Sequence, residues 1–429
     1  MKFDLVLSRR QWLRVACAGL AGGSSPGWLG QFARAAVSQK SPAKSVVLIW
    51  LAGGPSTIDL WDLKPGHPNG GPFREIDTAS PGVRISEHLP RLATLARELA
   101  IVRSLSSREG DHGRATRFLQ TGYLPGAGIE YPPVGSLISH ELGEDAEDLP
   151  RFVSIASSRT LLEPAGGFLG PHFAPVAVGA EASTIEDLIV PNLNRPPHVS
   201  AAAHTERLHL LDLLERGFGG QNPGPAVEGM RSARSRALRM MDPSARAAFD
   251  LTNEPAQIRE RYGSNVFGQG CLLARRLVER GVPFVEVSLA GWDTHNDNFE
   301  RVRVLSGILD NGMSALLDDL RGRGLLESTL VVCQGEFGRT PRINGTAGRD
   351  HWPQSWAVAL AGGGIRGGQV IGETSPDGMA VVKQPTSVPD LIATVCKAVG
   401  IDPRKQNLSN VGRPIRIADP AAQIIPGLL

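Results

Sequence analysis

The sequence predicts an open α/β sheet covered by helices on both faces. Short apolar runs, typical of strands buried in a parallel sheet, recur along the chain, and amphipathic helical patterns lie between them. A length of 429 residues, with 41% hydrophobic and 21% charged residues, suffices for one large or two medium globular domains. These values exclude disorder, collagen and coiled coil for the whole chain.

The first predicted strand covers residues 46–51, a continuous apolar run that ends at a Gly-Gly-Pro turn. Similar runs predict strands at residues 152–155, 284–287, 329–332 and 356–360. Helical periodicity predicts helices at residues 89–99, 208–214, 266–280, 302–320 and 388–399, and a further helix from His112 to about residue 122. The polar, mostly helical stretch of about 191–262 is interpreted as an insertion into a single domain of residues 46–429.

Residues 1–36 predict a twin-arginine export signal. Arg9 and Arg10 precede a weakly apolar, Gly- and Ala-rich stretch, and the segment ends in an Ala-Arg-Ala cleavage pattern. The alternative is a short basic amphipathic helix. Export predicts a periplasmic or extracellular protein that meets the twin-arginine machinery. Since no other stretch approaches 18 uninterrupted apolar residues, no membrane association is expected after processing.

The charge distribution argues against a nucleic-acid partner. The chain has 45 Lys and Arg residues against 43 Asp and Glu residues, and residues 1–36 hold five of the basic residues and one acidic residue. The remainder is therefore slightly acidic, which disfavours binding by neutralisation of a phosphate backbone. A Gly-x-Gly-x-x-Gly match at residues 362–367 is not followed by a helical pattern, so no nucleotide cofactor is expected.

Four segments that follow predicted strands or open a predicted helix carry the candidate functional residues. In an open α/β sheet, ligands bind beyond the carboxyl ends of the strands, so at least three of these segments are expected to meet at one rim. His112 opens a helix, and the helix dipole there favours neutral imidazole. The candidate residues on the other segments are Asp59, Asp293, His295, Glu336, Arg339, Arg349 and His351.

The motifs on these segments closely resemble the bacterial family called domain of unknown function 1501. They are GGPSTID at residues 53–59, GWDTH at 291–295, GEFGRTP at 335–341 and GRDHW at 348–352. That family resembles a branch of the alkaline phosphatase and sulfatase superfamily. The resemblance implies an alkaline phosphatase-like, three-layer α/β/α sandwich with a mostly parallel sheet and a divalent-metal site.

The resemblance also implies roles for individual residues. Asp293 and His295 match the metal-binding Asp and His that follow a central strand in the superfamily, and His351 matches its last histidine ligand. Glu336 falls at a ligand position, whereas the usual Asp after the first strand is replaced by Ala52 and Gly53, with Asp59 as the nearest carboxylate. His112 stands at the position of the superfamily's nucleophile.

The sequence therefore predicts an exported metal-dependent hydrolase of sulfate or phosphate esters, acting on a small-molecule or polysaccharide substrate. Asp293, His295, Glu336 and His351, with Asp59 as a further candidate, would hold Zn, Mn or Ca. His112 would act as nucleophile, base or further ligand. Arg339 or Arg349 would clamp the oxyanion. The alternative is a non-catalytic exported binding or assembly protein on the same fold.

Overall fold

The computed structural model describes residues 42–429 apart from 127, 144–148, 159–164 and 223. The predicted export signal at residues 1–36 lies outside the described residues.

The centre of the fold is a sheet to which nine strands contribute in the described part of the chain. We label them β1 to β9 in chain order: Ser45–Ala52, Leu99–Ser106, Phe152–Ile155, Val176–Val178, Phe284–Ala290, Thr329–Gln334, Trp356–Gly362, Gln369–Ile371 and Thr386–Ser387. The spatial order is β8-β2-β7-β6-β1-β5-β3-β4, with β9 beside β2. Among these described strands only β7 runs antiparallel to its neighbours, β2 and β6.

β1 lies between β5 and β6 and is parallel to both, with Val47 opposite Val285 and Val331. Its apolar run is buried on both faces: Ile49 belongs to one hydrophobic core and Leu48 to the core on the opposite face. Because all three strands point the same way, the segments that follow them emerge at one rim of the sheet. This rim carries most of the candidate residues.

Helices cover both faces of the sheet. In chain order α1 to α10 are Pro90–Thr94, His112–Thr121, Val134–Glu141, Ala201–Gln221, Pro225–Met240, Pro243–Phe249, Ala256–Tyr262, Val266–Glu279, Asn298–Gly322 and Val388–Ala398. Residues of α8 and α9 pack into the core on one face, and residues of α2, α3 and α10 pack into the core on the other. The predicted three-layer α/β/α sandwich with a mostly parallel sheet is confirmed.

Four two-stranded ribbons lie outside the main sheet in the described part of the chain. They are Glu75–Asp77 with Arg84–Ser86, Gly338–Arg339 with His351–Trp352, Glu373–Thr374 with Val381–Lys383, and Gln406–Leu408 with Pro414–Arg416.

The structure corrects one sequence prediction between residues 89 and 106. The helix predicted at residues 89–99 is only the short α1, Pro90–Thr94, and the chain then enters β2, which pairs with β7, β8 and β9 in the sheet. The leucines of this region satisfy helical spacing, but the following run is apolar on both faces, which is typical of a buried strand.

The stretch of residues 191–262 contains α4 to α7. α4 has no fully buried residue, and Leu210, Leu214 and Phe218 on it are each more than half exposed.

None of the helices in the described ranges combines the length and the apolar character required to cross a bilayer.

Candidate metal centre

The loops that follow β1 and β5 lie directly against each other at the rim. Gly53 directly follows β1 and has a φ of +114°. A Cβ at this position would come within 2.4 Å of the Asp293 nitrogen. Only glycine permits both the conformation and the approach. Trp292, which is completely buried, anchors the loop that presents Asp293 and His295.

His112 is the first residue of α2. The side chain of Asp111 caps the helix by accepting a hydrogen bond of 3.0 Å from the Arg114 nitrogen. This cap fixes the start of the helix, so His112 projects from the rim beside the loop after β5. Its ring lies 4.9 Å from the ring of Phe337, which is fully buried.

His351 reaches the same place on a short ribbon. It pairs with Arg339 in the antiparallel register of strands Gly338–Arg339 and His351–Trp352. The His351 ring lies 4.6 Å from Phe337 and 4.4 Å from His112, so the Phe337 ring packs against both imidazoles.

Three imidazole nitrogens and one carboxylate oxygen converge at this rim. Asp293 Oδ1 lies 3.1 Å from His295 Nε2 and 3.5 Å from the Nε2 atoms of both His112 and His351. His295 Nε2 and His351 Nε2 are 3.0 Å apart. Ligand atoms about 2.0–2.1 Å from a tetrahedral Zn²⁺ would be roughly 3.3 Å from one another. These four separations are close to this value, and the ligand atoms of His112, Asp293 and His351 all lie within 4.8 Å of one another.

The opposite nitrogen of each imidazole has its own acceptor. His112 Nδ1 is 2.7 Å from Glu336 Oε1, and His295 Nδ1 is 2.7 Å from Asp350 Oδ1. His351 Nδ1 is 2.8 Å from the carbonyl oxygen of Gly110. A carboxylate or carbonyl behind each imidazole is the arrangement that orients metal-binding histidines, because it holds the proton on Nδ1.

These outer partners leave the Nε2 lone pairs facing one another. With Nδ1 of His295 and His351 both donating, neither Nε2 carries a proton in the neutral ring, and two lone pairs 3.0 Å apart repel. His112 Nε2 is also buried and has no hydrogen-bond partner among the described residues. A cation between these atoms removes the repulsion and satisfies the orphaned nitrogen, so the residues fit a divalent metal ion.

Neighbouring charges shift the pKa values of the cluster in different directions. The hydrogen bond to Glu336 raises the pKa of His112, although burial opposes this shift. Burial lowers the pKa of His351. Burial opposes ionisation of Asp293, but the hydrogen bond from Arg339 prevails and lowers the pKa of that carboxyl. Asp293 is therefore held as a carboxylate.

Glu336 does not join the converging atoms, which corrects its expected role as a metal ligand. Its Oε1 atom accepts hydrogen bonds from the His112 ring and, at 3.0 Å, from the Gly53 nitrogen. The carboxylate therefore sits behind His112 and orients that ring.

Arg339 also differs from its expected role as an oxyanion clamp. Its side chain is fully buried, and its donors bind Asp293 Oδ1 and the carbonyl oxygens of Gly53, Gly54 and Arg349. These donors are all used within the protein. The guanidinium therefore forms an internal ion pair with the Asp293 carboxylate and holds the loop after β1 in place.

Asp59 and Arg349 pair with each other. Arg349 Nε and Nη2 donate to the two oxygens of Asp59 at 2.8 and 2.9 Å, and both side chains are completely buried. The expected metal ligand and the expected oxyanion clamp are thus two halves of one internal ion pair. The Ser56 hydroxyl donates a further hydrogen bond to Asp59 Oδ2 at 2.6 Å.

The family profile described as protein of unknown function DUF1501 matches residues 43–429. The chain belongs to this family. The resemblance stated from the motifs is thereby confirmed for nearly the whole chain. No curated protein gives a significant match to the sequence of this DUF1501 protein.

Solved structures similar to the DUF1501 chain include the PsFucS1 sulfatase from Pseudoalteromonas sp., with 14% identity, a TM-score of 0.41, and coverage of 87% of this chain and 70% of the sulfatase. The phosphonate monoester hydrolase SpPMH from Silicibacter pomeroyi has 11% identity, a TM-score of 0.37 and coverage of 83% and 73%. A TAB5 alkaline phosphatase mutant with Mg bound has 11% identity, a TM-score of 0.36 and coverage of 85% and 100%. Likenesses of this size assign neither an activity nor a ligand to this chain.

Two contributors to the site of this DUF1501 protein escaped the sequence analysis. Asp350 holds His295, and the Gly110 carbonyl holds His351. Asp350 lies within the GRDHW motif and Gly110 lies two residues before His112, so proximity in sequence to these histidines was the available signal. Pairing Asp350 with His295, 55 residues earlier, needed the tertiary structure.

Proposed function

We propose that the protein is an exported, metal-dependent hydrolase of sulfate or phosphate esters. The convergence of Asp293 Oδ1 with the Nε2 atoms of His112, His295 and His351 carries this proposal. Metal-binding histidines almost always donate their other ring N–H to a carboxylate, carbonyl or water, and every imidazole of this cluster has such an acceptor.

The donor set favours some ions over others. Three imidazole nitrogens and one carboxylate oxygen suit Zn or Mn better than Ca, which prefers six to eight oxygen ligands. Asp293 supplies the negative charge, and the ion pair with Arg339 keeps the Asp293 carboxylate ionised and holds it in position. Among the expected ions, Zn and Mn are therefore the candidates to test first.

The geometry favours His112 as a metal ligand rather than as a nucleophile or a general base. Its Nε2 atom lies at the same 3.5 Å from Asp293 Oδ1 as that of His351. A bound divalent ion would polarise an ester and lower the pKa of water. The side chains of His295 and Asp293 are 40% and 48% exposed, so the open side of the cluster is accessible to a small molecule or to an ester group on a polysaccharide.

The decisive experiment measures bound metal and ester hydrolysis on the same preparations. We expect about one Zn or Mn per chain and turnover of aryl sulfates or aryl phosphates by the wild-type protein. His295→Ala and His351→Ala should lose both, whereas His209→Ala, an exposed histidine on α4, should retain both. A wild-type protein that binds no metal and hydrolyses neither ester class refutes the proposal.

Two observations favour the second candidate, a non-catalytic binding or assembly protein. Four donors would complete a tetrahedral shell, as in closed structural sites. In addition, Arg339 and Arg349 bind protein groups and are not presented to a substrate. Stoichiometric metal that stabilises the protein, together with no hydrolysis of any ester in the panel, is the result expected for this candidate.

Export is the remaining part of the proposal, and it depends on Arg9 and Arg10. Replacing both with lysine keeps the charge but removes the arginine pair that defines the signal. We expect the variant to remain in the cytoplasm at its unprocessed length, while the wild type appears shortened in the periplasmic or extracellular fraction. Equal processing and export of both chains would contradict the prediction.

A further inference from the structure

We propose that the buried Asp59–Arg349 pair is a positioning device that sets the geometry of the metal ligands. The inference rests on the candidate metal centre but not on ester hydrolysis. Arg349 is two residues before His351 and one before Asp350, which holds the His295 ring. A displacement of Arg349 therefore moves one ligand and the outer partner of another.

The pair connects chain segments that are far apart in sequence. Besides Asp59, the Arg349 guanidinium donates to the carbonyl oxygens of Asn69, Thr340 and Pro341. Asp59 Oδ2 also accepts from Asn298 Nδ2 at 2.8 Å, at the start of α9. The loop after β1 is thus tied to the loop before His351 and to the end of the loop that carries Asp293 and His295.

The backbone of Arg349 extends the same connection. Its nitrogen donates to the Thr294 carbonyl at 3.0 Å, between Asp293 and His295, and its carbonyl accepts from Arg339. Arg339 in turn binds Asp293 Oδ1. Arg349 is therefore closely linked to three of the converging residues. Its nitrogen holds Thr294, which lies between Asp293 and His295, and His351 follows Arg349 by two residues.

The form of the pair indicates why it is charged. Exchanging a buried ion pair for apolar side chains is often neutral for stability, so stability alone does not require it. A bidentate fork fixes the plane and direction of both groups, which lysine or apolar residues cannot do. The charged pair is therefore suited to fixing the geometry of the loops that it joins.

Cobalt titration tests the inference, because Co²⁺ reports both affinity and coordination geometry through its visible absorption. In Arg349→Lys, which keeps the charge but loses the fork, we expect a rise in the Co²⁺ Kd of tenfold or more and an altered spectrum, with a folded circular dichroism signal. The double variant Asp59→Leu, Arg349→Met leaves neither charge of the pair behind. We expect the same weakening of Co²⁺ binding and the same change of spectrum in it. The matched control is Glu141→Leu with Lys405→Met, a different largely buried carboxylate paired with lysine, which should bind Co²⁺ as the wild type does.

The outcomes separate the two proposals. Variants that melt earlier but keep the wild-type Co²⁺ Kd and spectrum overturn the positioning role. If neither variant folds, the pair belongs to global stability, and the inference is equally overturned. A wild type that binds no Co²⁺ removes the metal centre itself, whereas a wild type that binds Co²⁺ but hydrolyses no ester leaves the positioning role intact and contradicts only the hydrolase.

Discussion

At the scale of single residues, each imidazole of the cluster is oriented by a different acceptor. Glu336 behind His112 is buried, Asp350 behind His295 is half exposed, and His351 relies on a carbonyl. The hydrogen bond to Glu336 raises the pKa of His112, whereas burial lowers the pKa of His351. The three rings are therefore chemically distinct, and the outer partner of each one can be tested separately.

Removing Asp350 should weaken metal binding without unfolding the protein. Asp350→Ala leaves His295 Nδ1 without its acceptor and frees the ring to rotate, and losses of outer partners typically cost 10- to 100-fold in metal affinity. Titration with Zn²⁺ measures the effect. Asp402→Ala is the control, because Asp402 is 54% exposed against 53% for Asp350 and pairs only with nearby Arg404 in the contacts described. Equal Zn²⁺ affinity in all three proteins would contradict this role for Asp350.

Glu141 gives a prediction about stability against pH. Although burial opposes ionisation, hydrogen bonds from His140, Lys405 and Asn407 lower the pKa of Glu141 to about 2. A lowered folded-state pKa stabilises the protein above the unfolded value near 4.5, and this contribution is lost as the pH falls toward 2.

Glu141→Gln should therefore lower the free energy of unfolding by about 1–2 kcal/mol at pH 7, allowing for the exposed end of Lys405. Urea denaturation at pH 7, 5 and 3 should show the difference from wild type shrinking below pH 5. A difference that stays constant over this range would show that Glu141 acts only through packing or uncharged hydrogen bonds.

At the scale of elements, the strands next to the site were easier to predict than the contacts between loops. The runs that became β1 and β6 are mostly apolar, so burial on both faces could be inferred from residue type, whereas β5 also carries Glu286 and Ser288, which are buried although they are polar. Arg339 and Arg349 look equally suited to an anion and to an internal carboxylate, and their fully buried surroundings are set by residues such as Gly53 and Asp59 far away in sequence. Sequence placed them in the right loops but could not show the direction of their side chains.

The loop that carries Asp293 and His295 touches the loop that leads to His351 at Gly348. A Cβ on this residue would lie 1.8 Å from the His295 carbonyl oxygen, whereas a Cβ on Gly345 in the same loop meets nothing within 4 Å. Gly348→Ala should force the loops apart, lower the unfolding free energy by about 1–3 kcal/mol and weaken metal binding strongly. Gly345→Ala should change neither quantity. Thermal denaturation and Zn²⁺ titration of the two variants provide the comparison, and wild-type behaviour of Gly348→Ala would contradict the packing described.

At the scale of the whole molecule, the four converging side chains come from widely separated parts of the chain. His112 opens α2, Asp293 and His295 follow β5, and His351 lies on a ribbon beyond β6. Such a site does not exist in an unfolded chain, so metal binding and folding should be linked. This linkage agrees with the proposed twin-arginine route, which carries folded proteins.

The linkage predicts a metal-dependent stability that can be separated from activity. A ligand that binds only the native state adds about 2.7 kcal/mol at 100 times its Kd, so added Zn²⁺ or Mn²⁺ should raise the thermal midpoint of the wild type and a chelator should reverse the rise. His295→Ala with His351→Ala should melt at one temperature with or without metal, because two of the four converging donors are gone. His209→Ala should respond as the wild type does. If the double variant is stabilised as much as the wild type, the ion binds elsewhere and the rim cluster is not the metal centre.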